Sequence, residues 1–299
     1  MAKKSNPTKS KTKTGYAGKG RTGEPSPHQS KGKAESASFG RPKRQPRTLG
    51  LAGIRPPNLV ILYGRNSVRA ALANDRREIT ELHGDRQTIA KLAGEAGFRL
   101  NKDVIAKEAS DIIAALEAER VPHQSIVAVA KRLPDISIDD VLKGTKADDP
   151  ASLLILDQVV DPQNVGAAMR VAAAMGALAL VTQDRNVPEE TGALARASAG
   201  TLDQLPWVKV SNIARTLDQL KEEGFWIAGL DGTATTSVGA AKLGSRFGLV
   251  MGSEGKGMRP NVAKHCDTLL KIPMAEGVES LNVSVAAGIA LYALTDRKD

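Results

Sequence analysis

An α/β fold built around a parallel sheet is what this sequence predicts, and three observations predict it. From residue 151 onward, apolar runs at 153–156, 177–182, 207–210, 226–230, 248–251 and 268–272 have helical stretches between them. Most are near-continuous, the pattern of strands covered on both faces. A shorter alternation of strands and helices occupies residues 58 to about 132. Finally, three segments break from apolar runs into small, polar or glycine residues: 161–170 (DPQNVGAAMR), 249–258 (LVMGSEGKGM) and 272–284 (IPMAEGVESLNVS). Ligand crevices in α/β proteins form at such strand ends. If the three ends meet in space, they make one pocket.

At 299 residues, with 41% apolar content, the chain has room for two domains and a sizeable core. Its charge is uneven. Residues 1–50 hold 13 Lys or Arg against Glu24 and Glu35, a balance of +11, so the overall +9 leaves −2 for the remainder. This stretch has one strongly aliphatic residue, Leu49, too few to offset the entropy of ordering, and residues 1–57 are expected to be a disordered basic tail. Its lysine clusters suit a polyanion such as RNA; a solubilising extension is the plainer alternative. With no apolar h-region and no long apolar span, the expected location is cytoplasmic, without a membrane partner.

Within the first alternation, 59–62 reads as a buried strand and 67–73 as a helix. A strand at 78–83, helices at 86–96 and 110–119, and an apolar run at 126–129 complete a small domain of 58–132. Residues 133–150, acidic and with two prolines, read as a linker holding a short helical possibility. The second domain is 151–299. Cys266 is the single cysteine, which excludes an internal disulfide and a multi-cysteine zinc site and reads as a small buried hydrophobe. His83, His123 and His265 have no metal-ligand or triad spacing, so no metal is expected.

In the first segment a helix of about 165–175 is expected, with Asn164 a plausible N-cap. Arg170 lies one turn from Gly166 and Ala167 on one side and from Ala173 and Ala174 on the other. Two readings stay open: a cation cleared for close approach by a ligand, or an Ala-rich packing helix with a solvated arginine. In the second segment, three glycines in 252–257 permit positive φ and close backbone approach. Neither the P-loop nor the Rossmann spacing is present, which argues against a dinucleotide-dependent oxidoreductase. Glu254 would repel phosphate and suits hydroxyl, amine or helix N-terminal partners. In the third, Ser280 or Asn282 should cap the helix at 283–294, and the backbone of Ile272, Met274 and Leu281 could read an adenine edge.

Together, in order and spacing, DPQNVGAAMR, LVMGSEGKGM and IPMAEGVESLNVSVAAGIAL resemble the three motifs of the SpoU/TrmH branch of the SPOUT RNA methyltransferases, over about 151–299. Residues 58–132, with LYGRNSVRAAL and VPHQSI, resemble the small L30e-like RNA-binding domain of members that methylate guanosine ribose in 23S rRNA. Ser125 stands where that domain usually has glycine, and the basic tail is an addition. The resemblance implies S-adenosylmethionine as methyl donor, a homodimer, and a SPOUT domain whose parallel sheet ends in a trefoil knot. Gly252, Ile272 and Leu281 match cofactor-binding positions. Asn164, Arg170, Glu254, Ser280 and Asn282 match residues at or beside the catalytic centre. Arginine stays protonated, so Arg170 is expected to clamp phosphate and developing alkoxide rather than act as base. Alternatives are a tRNA guanosine 2′-O-methyltransferase and a non-catalytic RNA-binding ribosome-assembly factor.

Overall fold

The computed structural model describes residues 58–100, 104–107, 110–146, 148–278 and 280–295. The tail at 1–57, with its expected disorder and RNA contacts, lies outside the described residues. The first alternation forms a four-stranded sheet of β1 (Leu59–Tyr63), β2 (Ile79–Gly84), β3 (Ile105–Lys107) and β4 (Ile126–Lys131), in the order β1-β4-β2-β3. β4 runs antiparallel to β1 and to β2, whereas β3 is parallel to β2. The central place of β4 explains why Ile126, Val127, Ala128, Val129 and Ala130 are all buried.

Local signals set the helices α1 (Arg65–Ala73), α2 (Arg86–Ala96) and α3 (Asp111–Ala118). The Asp85 side chain caps α2 by accepting from Thr88 N, and Ser110 caps α3 by accepting from Ile113 N. Residues 133–150 are more ordered than their composition suggests. It carries α4 (Ile138–Leu142), opened by a reciprocal Ser137–Asp140 capping box, and buries Ile138 and Leu142 in the core of the larger sheet.

That larger sheet has seven strands: β5 (Ala151–Leu156), β6 (Ala179–Gln183), β7 (Trp207–Val210), β8 (Trp226–Leu230), β9 (Thr236–Ser237), β10 (Arg246–Met251) and β11 (Thr268–Lys271). Their order is β7-β6-β5-β10-β8-β11-β9, and every pairing is parallel. All six residues of β5 and of β10 are buried, as a sheet covered on both faces requires. Covering it are α5 (Pro162–Ala174), α6 (Gly192–Ala197), α7 (Ile213–Glu222), α8 (Pro260–Lys264) and α9 (Val283–Leu294). α7 is amphipathic, burying Ile213, Leu217 and Leu220 at helical spacing beneath its Asn212 cap. The chain leaves β5 toward β6 and β7, while β10 pairs on the other side of β5 with Met251 opposite Leu156. Crevices open at such a reversal of strand order.

The two sheets are joined by close packing and by a buried charge cluster. A Cβ at Gly192 would strike the Ile61 carbonyl and the Tyr63 ring, so α6 reaches β1 only through a glycine. Arg77, Glu190 and Asp203 are each 5% exposed. Arg77 Nε donates to Asp203 Oδ1 (2.7 Å) and one Nη to Glu190 and to the Lys131 carbonyl (2.9 Å). Glu190 also accepts from Leu133 N at 3.0 Å. Two carboxylates thus share one guanidinium away from water, an arrangement that fails if the cation is removed.

Candidate functional site

The site is built from the carboxyl ends of β8, β10 and β11. Past Met251 the chain turns through 252–257, and the turn is closed by Gly257 N donating to Ser253 O (2.9 Å) and Ser253 N to Gly257 O (3.2 Å). Gly252 is packed so tightly against Gly257 and Met258 backbone that no Cβ fits there, and Gly257 sits at φ 66°. A cavity of about 260 Å³ lies beside this turn. Gly252, Ile272, Met274, Leu281, Glu254 and Ser280 all line it, as do Leu230 and Gly232 from the end of β8. Sequence reasoning passed over the β8 contribution, although the Asp231-Gly232 pair after an apolar run is the kind of punctuation that marks a strand end.

Glu254 is the hub of the polar groups. Its Oε1 accepts from Asn282 Nδ2 (3.0 Å), Asn164 Nδ2 (3.3 Å) and Val283 N (3.2 Å). Asn282 Nδ2 in turn donates to Asn164 Oδ1 at 2.8 Å. One carboxylate therefore ties the turn after β10 to the first helical turns of α5 and α9. The Val283 contact is the helix N-terminal partner that an acid in this loop suits. Asn282 caps α9, its Oδ1 accepting from Ser284 N (3.0 Å) and Ser284 Oγ (2.6 Å).

Two expectations change. Asn164 does not cap its helix: α5 begins at Pro162, and Asp161 is the cap, accepting from Gln163 N and Asn164 N. The helix starts earlier because proline is suited to its first position, and this leaves the Asn164 amide free for Glu254. The small residues of α5 also serve packing. A Cβ at Gly166 would stand 2.6 Å from Ala197 Cβ and 2.8 Å from the Leu194 carbonyl, so that face is taken by α6. Arg170 is exposed, lines no part of the cavity, and makes no hydrogen bond or ion pair among the described residues.

A second tie was not foreseen. Asp157, at the end of β5 and fully buried, accepts from Arg259 N (2.8 Å), Arg259 Nε (2.8 Å) and Arg259 Nη2 (2.7 Å). It locks the start of the 157–161 loop to Arg259, the residue before α8, just past the glycine turn. Cys266 packs against Gly229, and burial pushes its thiol up to about 12, which leaves it an inert thiol. Among the described residues, no group of three His, Cys, Asp or Glu side chains is placed to hold a metal ion, and no helix is long and apolar enough to cross a membrane.

The donor set fits an adenosyl-type ligand. Ile272, Leu281 and Leu230 supply apolar walls, the 252–257 turn presents bare backbone, and among the described residues no cationic side chain lines the cavity to call for a phosphate. Comparison with known proteins agrees with this geometry. Residues 151–292 match the SpoU rRNA Methylase family. A 23S rRNA (guanosine-2′-O-)-methyltransferase RlmB from Ralstonia nicotianae is 39% identical over 241 residues, covering 78% of this chain and 93% of that protein. A protein of the same name from Photobacterium profundum is 36% identical over 240 residues, with 78% and 95% covered. In fold, the chain is similar to the SpoU methyltransferase AviRb from Streptomyces viridochromogenes, solved in complex with AdoMet. The TM-score is 0.67 at 24% identity, covering 79% of this chain and 89% of that one.

Proposed function

This chain belongs to the SpoU rRNA methylase family, and on that premise we propose that it transfers a methyl group from S-adenosylmethionine to a guanosine ribose 2′-hydroxyl in 23S rRNA. The observation that carries the reading is the convergence of the ends of β8, β10 and β11 on one cavity, which the 161–170 segment does not line but joins through Asn164, bonded with Asn282 and Val283 to Glu254. Relatives of that printed activity match across more than nine-tenths of their own length.

When bound, S-adenosylmethionine supplies a methyl group already activated by its sulfonium charge. The protein's task is then alignment and proton removal. Gly252, Ile272, Met274 and Leu281 hold the adenosyl part through backbone groups and apolar contact. Ser280 and Asn282 fix the turn before α9, and Glu254 holds that turn and Asn164 in register. Arg170, a guanidinium with no partner among the described residues, steadies the RNA phosphate and the alkoxide that develops at the 2′-oxygen. The proton passes to a phosphate oxygen or to water.

The finer architecture is part of the same proposal: domains of 58–132 and 151–299 joined by a linker at 133–150, the first L30e-like and RNA-binding. Consistent with a trefoil knot is the placing of β10 between β5 and β8, which sets the loops after β10 and β11 on one cavity. A homodimer is supported by an apolar stripe on α9, where Val285, Ile289 and Tyr292 are 51%, 40% and 72% exposed. Arg170 lies on α5, which packs against α9: a Cβ at Gly288 of α9 would stand 3.4 Å from a Val171 methyl. The protein works in the cytoplasm, where rRNA is made.

Ribose-methylation mapping of total RNA from a deletion strain, with and without the gene restored, tests the proposal. A single 23S guanosine that loses and regains its 2′-O-methyl group is expected. Loss at a tRNA position instead would refute the rRNA assignment. No loss anywhere, with no calorimetric binding of S-adenosylmethionine, would refute the enzyme.

A further inference from the structure

The turn at 252–257 has two sides. One faces the cavity just described; the other, sharing Ser253, borders a larger open groove of about 600 Å³. Gln158, Val160, Asn186, Pro188 and Lys256 line this groove, and none of them lines the first cavity. Gln158 and Asn186 hold φ of 59° and 57°, a conformation that non-glycine residues adopt rarely and that clusters at ligand clamps. The two residues belong to different loops, after β5 and after β6, yet both are held in the left-handed region beside the same groove. The side chains of Gln158, Asn186 and Lys256 are exposed and make no hydrogen bond or ion pair among the described residues. Val160, 55% exposed, and Pro188 add apolar surface. Asp157, which precedes Gln158 in the chain, is bonded to Arg259 just past the glycine turn, and this ties the loop that bears Gln158 to that turn.

We propose that this groove receives the base of the target nucleotide and selects guanine, Lys256 donating to its O6 and N7 while Gln158 and Asn186 accept from N1–H and the N2 amino group. The inference rests on the methyltransferase reading, since it is the shared Ser253 wall that sets a base in the groove next to a ribose at the cofactor cavity. The donor pattern favours guanine over the other purine. A cation is the usual partner of guanine O6 and N7, whereas adenine presents an amino group in place of O6. An amide carbonyl complements the N2 amino group, which adenine lacks. Val160 and Pro188 give the ring apolar contact.

The test uses the full chain and an RNA fragment spanning the mapped position, made with guanosine, inosine or adenosine at that position. kcat/KM for methyl transfer is measured for the native protein and for Lys256→Met, Gln158→Met and Asn186→Gly, the last chosen because glycine accepts the positive φ. Lys256→Met should lose roughly tenfold of the preference for guanosine over adenosine, the scale of one good base contact. Of Gln158→Met and Asn186→Gly, the variant that removes the acceptor for the N2 amino group should lose roughly tenfold of the preference for guanosine over inosine, which lacks only that group. The one that removes the acceptor for N1–H should lose roughly tenfold of the preference for guanosine over adenosine, whose N1 carries no hydrogen. Affinity for S-adenosylmethionine, read by calorimetry, should not change in any of the three. Equal losses on all three RNAs, or ratios identical to the native protein's, would overturn base selection here while leaving the methyltransferase standing. A native protein that methylates none of the three would bring down both.

Discussion

Replacing Gly252 with alanine puts a methyl group where the backbone of Gly257 and Met258 already stands. The neighbours are main-chain atoms of the same tight turn, so no flexible side chain can yield. The turn must instead open at its narrowest point, the paired hydrogen bonds between Ser253 and Gly257. Each backbone bond contributes about 1 kcal/mol net, so leaving the bridged shape costs about 2 kcal/mol. Binding would have to restore the cavity wall against that strain, and about 2 kcal/mol corresponds to roughly 30-fold in affinity. Isothermal titration with S-adenosylmethionine reads the effect directly, and urea unfolding should register the same loss. Gly255 offers a comparison. Nothing lies near its Cβ position but its φ is 78°, so Gly255→Ala should cost only the left-handed penalty of roughly 1–2 kcal/mol. A Gly252→Ala protein that binds within threefold of the native protein and unfolds at the same urea concentration would refute the argument that this wall has no room for a side chain.

Other consequences follow from groups described above. Arg77→Met leaves Glu190 and Asp203 buried without their cation and should lower unfolding free energy by about 3–5 kcal/mol; a urea midpoint within error of the native value would contradict it. Arg170→Ala removes an exposed, unpaired side chain, so stability should stay within about 0.5 kcal/mol while methyl transfer is lost; near-native turnover on the mapped RNA would overturn Arg170's role. His83 is buried, and burial lowers its pKa from 6.5 despite the neighbouring Glu81. The unfolded imidazole takes up a proton near 6.5 and the folded one only at lower pH. Stability is therefore unaffected above that value and falls below it, by at most about 1.4 kcal/mol per pH unit. His83→Leu should remove part of the loss between pH 7.5 and 5.5; identical losses in both proteins would show that His83 is not its source.

The three site segments were legible because each pairs an apolar run, which marks a strand, with residues no strand needs: a glycine cluster around Glu254, the Ser280-Leu281-Asn282 corner, and a helix entry at 161–164. Their meeting was not legible. Strand order decides it, and nothing local in 246–251 says that β10 pairs with both β5 and β8. Capping at α5 was misread because Asp161, Gln163 and Asn164 are all polar and only the proline between them fixes the first turn. The bare face of that helix was ambiguous for a related reason: a glycine cleared for a ligand and one cleared for α6 are the same letter. β3 and β9, of three and two residues, are too short to show a period. The Arg77 cluster joins residues 113 and 126 positions apart, a relation that no pattern within a window can carry.

The Glu254 hub joins Asn164 to Asn282, 118 residues further along the chain, and to Val283 at the head of α9. During synthesis the strands of the larger sheet emerge before that helix does. A nascent chain still held by its ribosome can thus fold most of the protein while its reactive corner lacks one side. Closure of the corner therefore waits on contacts made late in the order of the chain, after the sheet that carries it has its strands in place.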